Sequence, residues 1–362
     1  MIDKDRLVGT FLELVRIDSP SGSEAAIGHH LEARLQALGL ATTFDETGNL
    51  LGRLPGSAPG TLLLSAHMDT VGTDTGITPV IRDGVITSDG TTILGADDKS
   101  GVAAILETIQ VLQERNLPWP ALEVVISVGE ELGLYGARHF DTGQLQADYG
   151  VVMDSGGPAG HIVVSAPSQD SMVFTVHGRA AHAGSEPEQG INAIRVAAEA
   201  IAAMPLGRID EETTSNVGII EGGTARNIVP ALVKVVGEAR SRDERKLDKL
   251  SGAMVGAFEK AAERHKASVD MDVTRVYRTY RVGEDQAILR AAMDAARAQG
   301  HQVQLRNSGG GTDGNIYNAA GIPTIVLSTG MAEVHTVHEH IAIADMVAGT
   351  ELLLATIRRL TG

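Results

Sequence analysis

At 362 residues with 43% hydrophobic content, the chain is long enough to bury more than one core and too apolar to be disordered as a whole. A formal charge of -16 argues against sequence-independent binding to nucleic acid or to anionic membranes, since both need a surplus of Lys and Arg. With no cysteine, disulfides, thiolate metal sites, iron-sulfur clusters and cysteine nucleophiles are excluded, so any metal site must be built from His, Asp and Glu.

The first segment mixes Asp3, Asp5 and Glu13 with apolar residues. It reads as an amphipathic helix carrying Leu7, Phe11, Leu14 and Val15, not as a signal peptide. Ser19-Pro20-Ser21-Gly22 ends it with turn chemistry, and a second helix is expected from about Ala25 to Leu38. Leu62-Leu63-Leu64, Val124-Val125-Ile126 and Val151-Val152-Met153 then read as buried strands, with a helix from Val102 to Leu112 between the first two. The alternation predicts an α/β domain with a largely parallel sheet flanked by helices. No uncharged apolar stretch approaches the roughly 18 to 20 residues of a membrane span, and a cytoplasmic protein is expected.

Near Ser168 the pattern changes. A strand at Met172 to Val176, a helix at Asn192 to Met204, strands at Ser215 to Ile220 and Leu232 to Glu238, a helix at Glu244 to His265 and a strand at Ser268 to Val276 follow in turn. This β-α-β-β-α-β order is the ferredoxin-like arrangement, and it predicts a small inserted domain. The expected division is 1–168 with 280–362 for the first domain and 169–279 for the insertion. The α/β pattern resumes with a helix near Asp285 to Gln299, a strand at Thr324 to Leu327 and a closing helix from about Ala344 to Leu360.

The apolar runs end in metal-type side chains. His67 and Asp69 follow one strand, Glu130 and Glu131 a second and Asp154 a third, and a parallel sheet opens all these ends onto one edge, where α/β proteins bind ligands. Asp97-Asp98-Lys99 precedes a helix and His335 lies in the loop after the last strand, both within reach of that edge. Taken singly, each is ordinary: a surface His-Asp pair, a solvated Glu pair, acids at a helix start. Their joint placement is not. His67 and Asp69, two apart on an extended chain, point to one side, so Asp69 is suited to accept the second ring N-H of His67 and fix its tautomer. The adjacent Glu130 and Glu131 must diverge, leaving one to bind metal and the other to handle protons.

In the order His67-x-Asp69, Asp97-Asp98-Lys99, Glu130-Glu131, Asp154 and His335, the whole chain resembles the di-zinc metallopeptidase family that includes peptidase T, carboxypeptidase G and aminoacylase. Further similar motifs are Ala181-His182-Ala183-Gly184, Asn227-Ile228-Val229-Pro230 and Gly310-Gly311-Thr312-Asp313-Gly314, the last favouring the peptidase T-like branch. The resemblance implies that Asp97 bridges two divalent cations, zinc with cobalt or manganese as alternatives. His67 and Asp154 would complete one site, Glu131 and His335 the other, and Glu130 would be the general base beside Asp69. It also implies a cis peptide between Asp97 and Asp98, and a homodimer in which His182 of the inserted domain, acting as lid, reaches a partner's active site to stabilise the oxyanion. Asn227, Gly310 and Gly311 would contact substrate. The implied reaction is hydrolysis of short peptides by a tripeptide or dipeptide aminopeptidase, with N-acyl amino acid deacylation as the alternative.

Two remoter readings compete. Gly309-x-Gly311-x-x-Gly314 with Glu333 matches a dinucleotide fingerprint in form, but Gln302 to Arg306 is too polar for the central strand that should precede it, and Ala319-Ala320-Gly321 cuts the next helix short. A non-catalytic metal-binding protein would have little use for the spare carboxylate of Glu130. Arg240, Arg242, Arg278 and Arg281 are candidate anchors for a substrate carboxylate, equally readable as solvated charges.

Overall fold

A computed structural model describes residues 2–361. The chain forms two compact units, one made of the stretch ending at Ser165 together with the stretch beginning at Arg281, the other of Ala166–Tyr280.

The first unit is organised by a sheet of mixed direction. Its four central strands, in spatial order Ala121–Ser127, Thr61–His67, Tyr149–Ser155 and Thr324–Ser328, are parallel. Each is a run of apolar residues because both sheet faces are covered, leaving no solvent side to impose alternation. Leu63, Val125, Val152 and Val326, one from each of these strands, pack with Phe140 and Tyr317 on one face. Helix Ala96–Glu114 packs against strands Thr61–His67 and Tyr149–Ser155, and is joined by helices Lys4–Val15 and Ile343–Leu360. Leu7, Phe11, Leu14 and Val15 of the first helix are buried, as their spacing predicts. Its N-terminus is capped by the Asp3 carboxylate, which accepts the N-H groups of Asp5 and Arg6.

Several elements lie outside the sequence expectation. Ala41–Phe44 and Leu50–Leu54 form an antiparallel hairpin on one edge of the sheet, and His161–Ala166 runs antiparallel to Thr324–Ser328. The polar segment before the glycines is a short strand, Gln304–Asn307, but it pairs parallel with His161–Ala166 off the main path of the sheet. Thr324–Ser328 is also not the last strand. Met331–Ala332 and His340–Ala342 form an antiparallel pair in a separate four-stranded sheet with Val85–Thr87 and Val80–Arg82, so His335 sits in a strand-to-strand loop.

In the second unit, strands Thr213–Gly222, Leu232–Ser241, Ser168–His177 and Ser268–Tyr277 lie side by side in that order, all antiparallel, with Gly207–Arg208 on the outer edge. Helices Ala193–Ala203 and Glu244–His265 connect them, giving the ferredoxin-like order. Ser168–His177 alternates buried and half-buried residues along its whole length, with Met172, Phe174 and Val176 turned to the helices. Phe174 stacks on Phe258 of the longer helix, ring centroids 4.0 Å apart.

Candidate metal centre

The four parallel strands end on one edge, at Ser127, His67, Ser155 and Ser328. His67 is the last residue of its strand, and its backbone N-H donates to the Asp98 carboxylate at 3.2 Å. Asp97 and Asp98 open helix Ala96–Glu114 with non-helical dihedrals, and the peptide between them is cis. Two glycines make this corner possible. Gly95 has φ +73°, a conformation side chains resist, and a Cβ on Gly101 would overlap the carbonyl oxygen of Met153 on the neighbouring strand.

Asp97 stands between two imidazoles. His67 Nε2 lies 3.1 Å from one of its carboxylate oxygens and His335 Nε2 lies 3.2 Å from the other. His335 Nε2 is also 2.9 Å from Glu131 Oε1. Ligand atoms of His67, Asp97 and Glu131 fall within 4.8 Å of one another, as do those of His67, Asp98 and Asp154. Asp98 already accepts two backbone N-H bonds, from His67 and Gly101, and is fully buried, so its geometry is that of a residue holding the corner together. His335 occupies a left-handed backbone conformation at φ 64°, uncommon for residues other than glycine.

Asp69 does more than face His67. The ring Nδ1 lies 3.1 Å from the Asp69 carbonyl oxygen and 3.3 Å from its carboxylate, so the expected acceptor is shared with the main chain. The carboxylate is engaged elsewhere as well: it accepts from Ser21 Oγ at 2.6 Å and from the backbone N-H groups of Glu130 at 3.0 Å and Glu131 at 3.3 Å. One buried acid thus orients His67 and the Glu130-Glu131 segment together. With Nδ1 engaged by Asp69, Nε2 is the ring nitrogen of His67 that faces Asp97.

The charges press on one another. Burial opposes charging of His67, yet Asp69 and Asp97 outweigh it and raise its pKa well above the usual imidazole range. Hydrogen bonds to Asp97 and Glu131 push His335 up to about 10. Burial raises Glu130, with Asp313, Glu131 and Asp97 adding to it, and raises Asp154, with Asp97 and Glu130 adding. Asp97 is held below the usual carboxylate range, since the two imidazoles outweigh its burial. The imidazoles, Glu130 and Asp154 hold their protons firmly around an ionised Asp97, and such a cluster is a place where a multivalent cation can replace protons. Two imidazoles with several carboxylates and no thiolate suit a divalent ion of hard or borderline character.

Four supporting groups are given no role by the sequence. Glu339 accepts backbone N-H bonds from Leu94, Gly95 and Asp97. Glu24 accepts from Gly22 and from Gly129, the residue before Glu130. Ser21 holds Asp69. Asp313 accepts from Ser127 Oγ, and burial lifts its pKa to about 6. Only Asp313 carried a signal, its place in the Gly-rich segment already singled out.

The substrate-side candidates are distributed over both units. Gly310 and Gly311 lie in the half-buried loop between Gln304–Asn307 and helix Gly314–Ala319, and the Gly310 N-H is taken by Ser308 Oγ at 3.0 Å. His182 and Asn227 belong to the second unit, both exposed and side by side: the Ala183 N-H donates to the Asn227 carbonyl at 3.0 Å. His182 Nδ1 accepts the N-H groups of Gly184 at 3.2 Å and Ser185 at 3.1 Å. Its ring proton therefore sits on Nε2, pointing away from its own loop. Among the arginines, Arg240 is paired with Glu238 and Arg278 with Glu244.

Residues 63–359 match the sequence pattern of Peptidase family M20/M25/M40. The chain is similar to the crystal structure of aminopeptidase PepT from Bacillus cereus ATCC 10987, with 42% identity, all of both chains covered and a TM-score of 0.89. It is also similar to that of a tripeptidase from Staphylococcus aureus subsp. aureus Mu50, with 38% identity over 99% of this chain and 98% of the other and a TM-score of 0.93. Protein YqjE of Bacillus subtilis strain 168, whose function is uncharacterised, is 41% identical over 99% of both sequences. The matched span, the shared fold and the acid-imidazole cluster lead to one assignment: this chain belongs to the metallopeptidase family M20/M25/M40, in its peptidase T-like branch.

Proposed function

We propose that this protein is a metal-dependent aminopeptidase that releases the N-terminal residue of tripeptides, and that it works with two divalent cations, which we take to be zinc. The observation that carries the reading is Asp97 placed between the imidazoles of His67 and His335. A carboxylate with one oxygen toward each of two histidines is suited to join two ions. His67 and Asp154 would hold one, Glu131 and His335 the other. When bound, such ions would polarise the scissile carbonyl and acidify a water.

The remaining steps belong to the chain. Glu130, whose backbone is pinned by Asp69, takes the proton of the attacking water and returns it to the departing amine. Asp69 keeps His67 in its Nδ1-protonated tautomer. His182 presents an Nε2-H donor for the developing oxyanion, and we place that donor in the active site of a second copy, which makes the working form a homodimer. Asn227 and the Gly310-Gly311 loop are assigned to substrate contact.

The relatives described as an aminopeptidase and a tripeptidase, at 42% and 38% identity, support peptides over N-acyl amino acids as substrates. A hydrolysis screen tests this directly. Metal-reconstituted protein should cleave tripeptides with a free N-terminus faster than dipeptides or N-acetyl amino acids. Faster cleavage of acylated substrates would reassign the activity, and full activity after rigorous chelation would end the metal reading.

A further inference from the structure

The Glu339 carboxylate is 99% buried, yet it faces no cation-binding atom: it faces backbone. Its Oε2 accepts the N-H groups of Leu94 and Gly95, each at 2.8 Å, and its Oε1 accepts that of Asp97 at 3.0 Å. These three amides belong to the turn that enters helix Ala96–Glu114, where the N-cap residue Gly95 is left-handed and has no side chain with which to cap them. At such a helix start the N-H groups have no partner within the helix, and an ionised acceptor there makes shorter and stronger bonds than a neutral one.

The other end of the contact matters equally. Glu339 lies four residues after His335 in the loop between Met331–Ala332 and His340–Ala342. That loop is tightly wound: the Glu339 N-H donates to the Thr336 carbonyl, the Thr336 hydroxyl to the Glu333 carbonyl, and the His338 N-H to the Thr336 hydroxyl. One side chain therefore fastens the loop carrying His335 to the turn carrying Asp97. The 3.2 Å approach of His335 to Asp97 spans the same two segments.

We propose that Glu339 is a positioning residue of the metal centre: by holding the Leu94-to-Asp97 backbone against the His335 loop, it sets the spacing between the Asp97 carboxylate and the His335 imidazole without itself touching a cation. The proposal rests on the two-cation reading given above. Two features set Glu339 apart from an ordinary helix cap. It bonds three amides instead of one or two, and it comes from the segment that supplies a ligand.

Metal binding tests it by a readout independent of turnover. Metal-free wild type, Glu339→Gln and Glu339→Asp are titrated with Co2+, following absorption in the visible range and competition with a chelator. Each variant is checked for folding by circular dichroism. Glu339→Gln keeps the size of the side chain but cannot offer acceptors to all three amides; Glu339→Asp keeps the charge but is one methylene short. Both should fold and bind the more weakly held ion about 10- to 100-fold less tightly, with an altered cobalt spectrum. In steady-state assays kcat should fall while KM stays within about 2-fold, the pattern of a disturbed reacting centre and not of lost substrate contact. Wild-type affinity and spectrum in both variants overturn the proposal. So does failure of both to fold at saturating Co2+, which reduces Glu339 to a scaffold residue. If wild type itself binds no Co2+, the two-cation reading fails instead, and the two failures are thereby distinguished.

Discussion

His335 and Asp97 meet at 3.2 Å, imidazole Nε2 to carboxylate Oδ2, although they come from a loop near the end of the chain and a helix start in its first third. The other oxygen of Asp97 faces His67 at 3.1 Å, so removing the charge of this one side chain strikes both halves of the site. Asp97→Asn should bind neither ion with wild-type affinity and should lose activity by at least about 100-fold, the scale on which metal catalysis contributes. Metal analysis after gel filtration checks it. Two ions retained at wild-type affinity would remove Asp97 from the bridging role.

Glu130 should behave differently. It is pinned by its backbone to Asp69, and the proposed assignment leaves metal contact to Glu131, so Glu130→Gln should retain both ions while kcat falls about 100- to 10,000-fold, the usual contribution of a general base. Single-turnover kinetics on the fully loaded variant provide the measurement. Unchanged turnover would assign the base elsewhere.

His182 offers its Nε2-H outward because Nδ1 is occupied by its own loop. If that donor serves a second copy, His182→Ala and Glu130→Gln subunits should each be nearly inactive alone. When mixed, they should recover about a quarter of wild-type activity, since half of the dimers formed are mixed and each contains one intact site. No recovery in heterodimers verified by tandem tags counts against the shared site.

Asp313 provides a pH test in the metal-free protein. Burial lifts its carboxyl to about 6, against roughly 4 for an unfolded aspartate, so the folded state binds the extra proton between those values. The unfolding free energy must then fall as pH rises through that window, since stability declines wherever the native state holds more protons. The loss from this group is on the order of 2 to 3 kcal/mol between about pH 4 and pH 6. Urea titrations of chelated wild type and Asp313→Asn should show a smaller decline in the variant. Parallel pH profiles would mean that Asp313 does not titrate in this range.

Gly101 is a test of the scaffold. A Cβ there overlaps the Met153 carbonyl and the Asp98 carboxylate, neither of which is a flexible side-chain end. Gly101→Ala should destabilise the protein by about 1 to 3 kcal/mol by overpacking, despite alanine's better helix propensity. A melting temperature equal to or above that of wild type would show that the corner yields without cost.

The legibility of this molecule in its sequence follows from how each part works. The central strands were readable because burial on both faces demands unbroken apolar runs, and the candidate residues His67, Glu131 and Asp154 because they stand at or just beyond the ends of those runs. The hairpin Ala41–Phe44 with Leu50–Leu54 was less so: its first strand is half-exposed and has Phe44 as its one large apolar residue, and only the turn, where the Asp45 carboxylate accepts from Thr47, Gly48 and Asn49, has a typical composition. Met331–Ala332 and His340–Ala342 are too short to show any period. Glu339, Glu24 and Ser21 were invisible for a different reason. Two of them act on backbone amides and the third on a neighbouring carboxylate, so no residue pattern elsewhere in the chain signals what they bind.

The side chains gathered at the sheet edge come from segments around positions 67, 97, 131, 154 and 335. On the proposed assignment, a nascent polypeptide leaving the ribosome has no complete coordination set until it has grown past His335, and no fixed one until Glu339 has followed. Peptide-cutting competence thus arrives late in synthesis. A chain interrupted just before that loop would carry most of the strands and, on the proposed assignment, none of the chemistry.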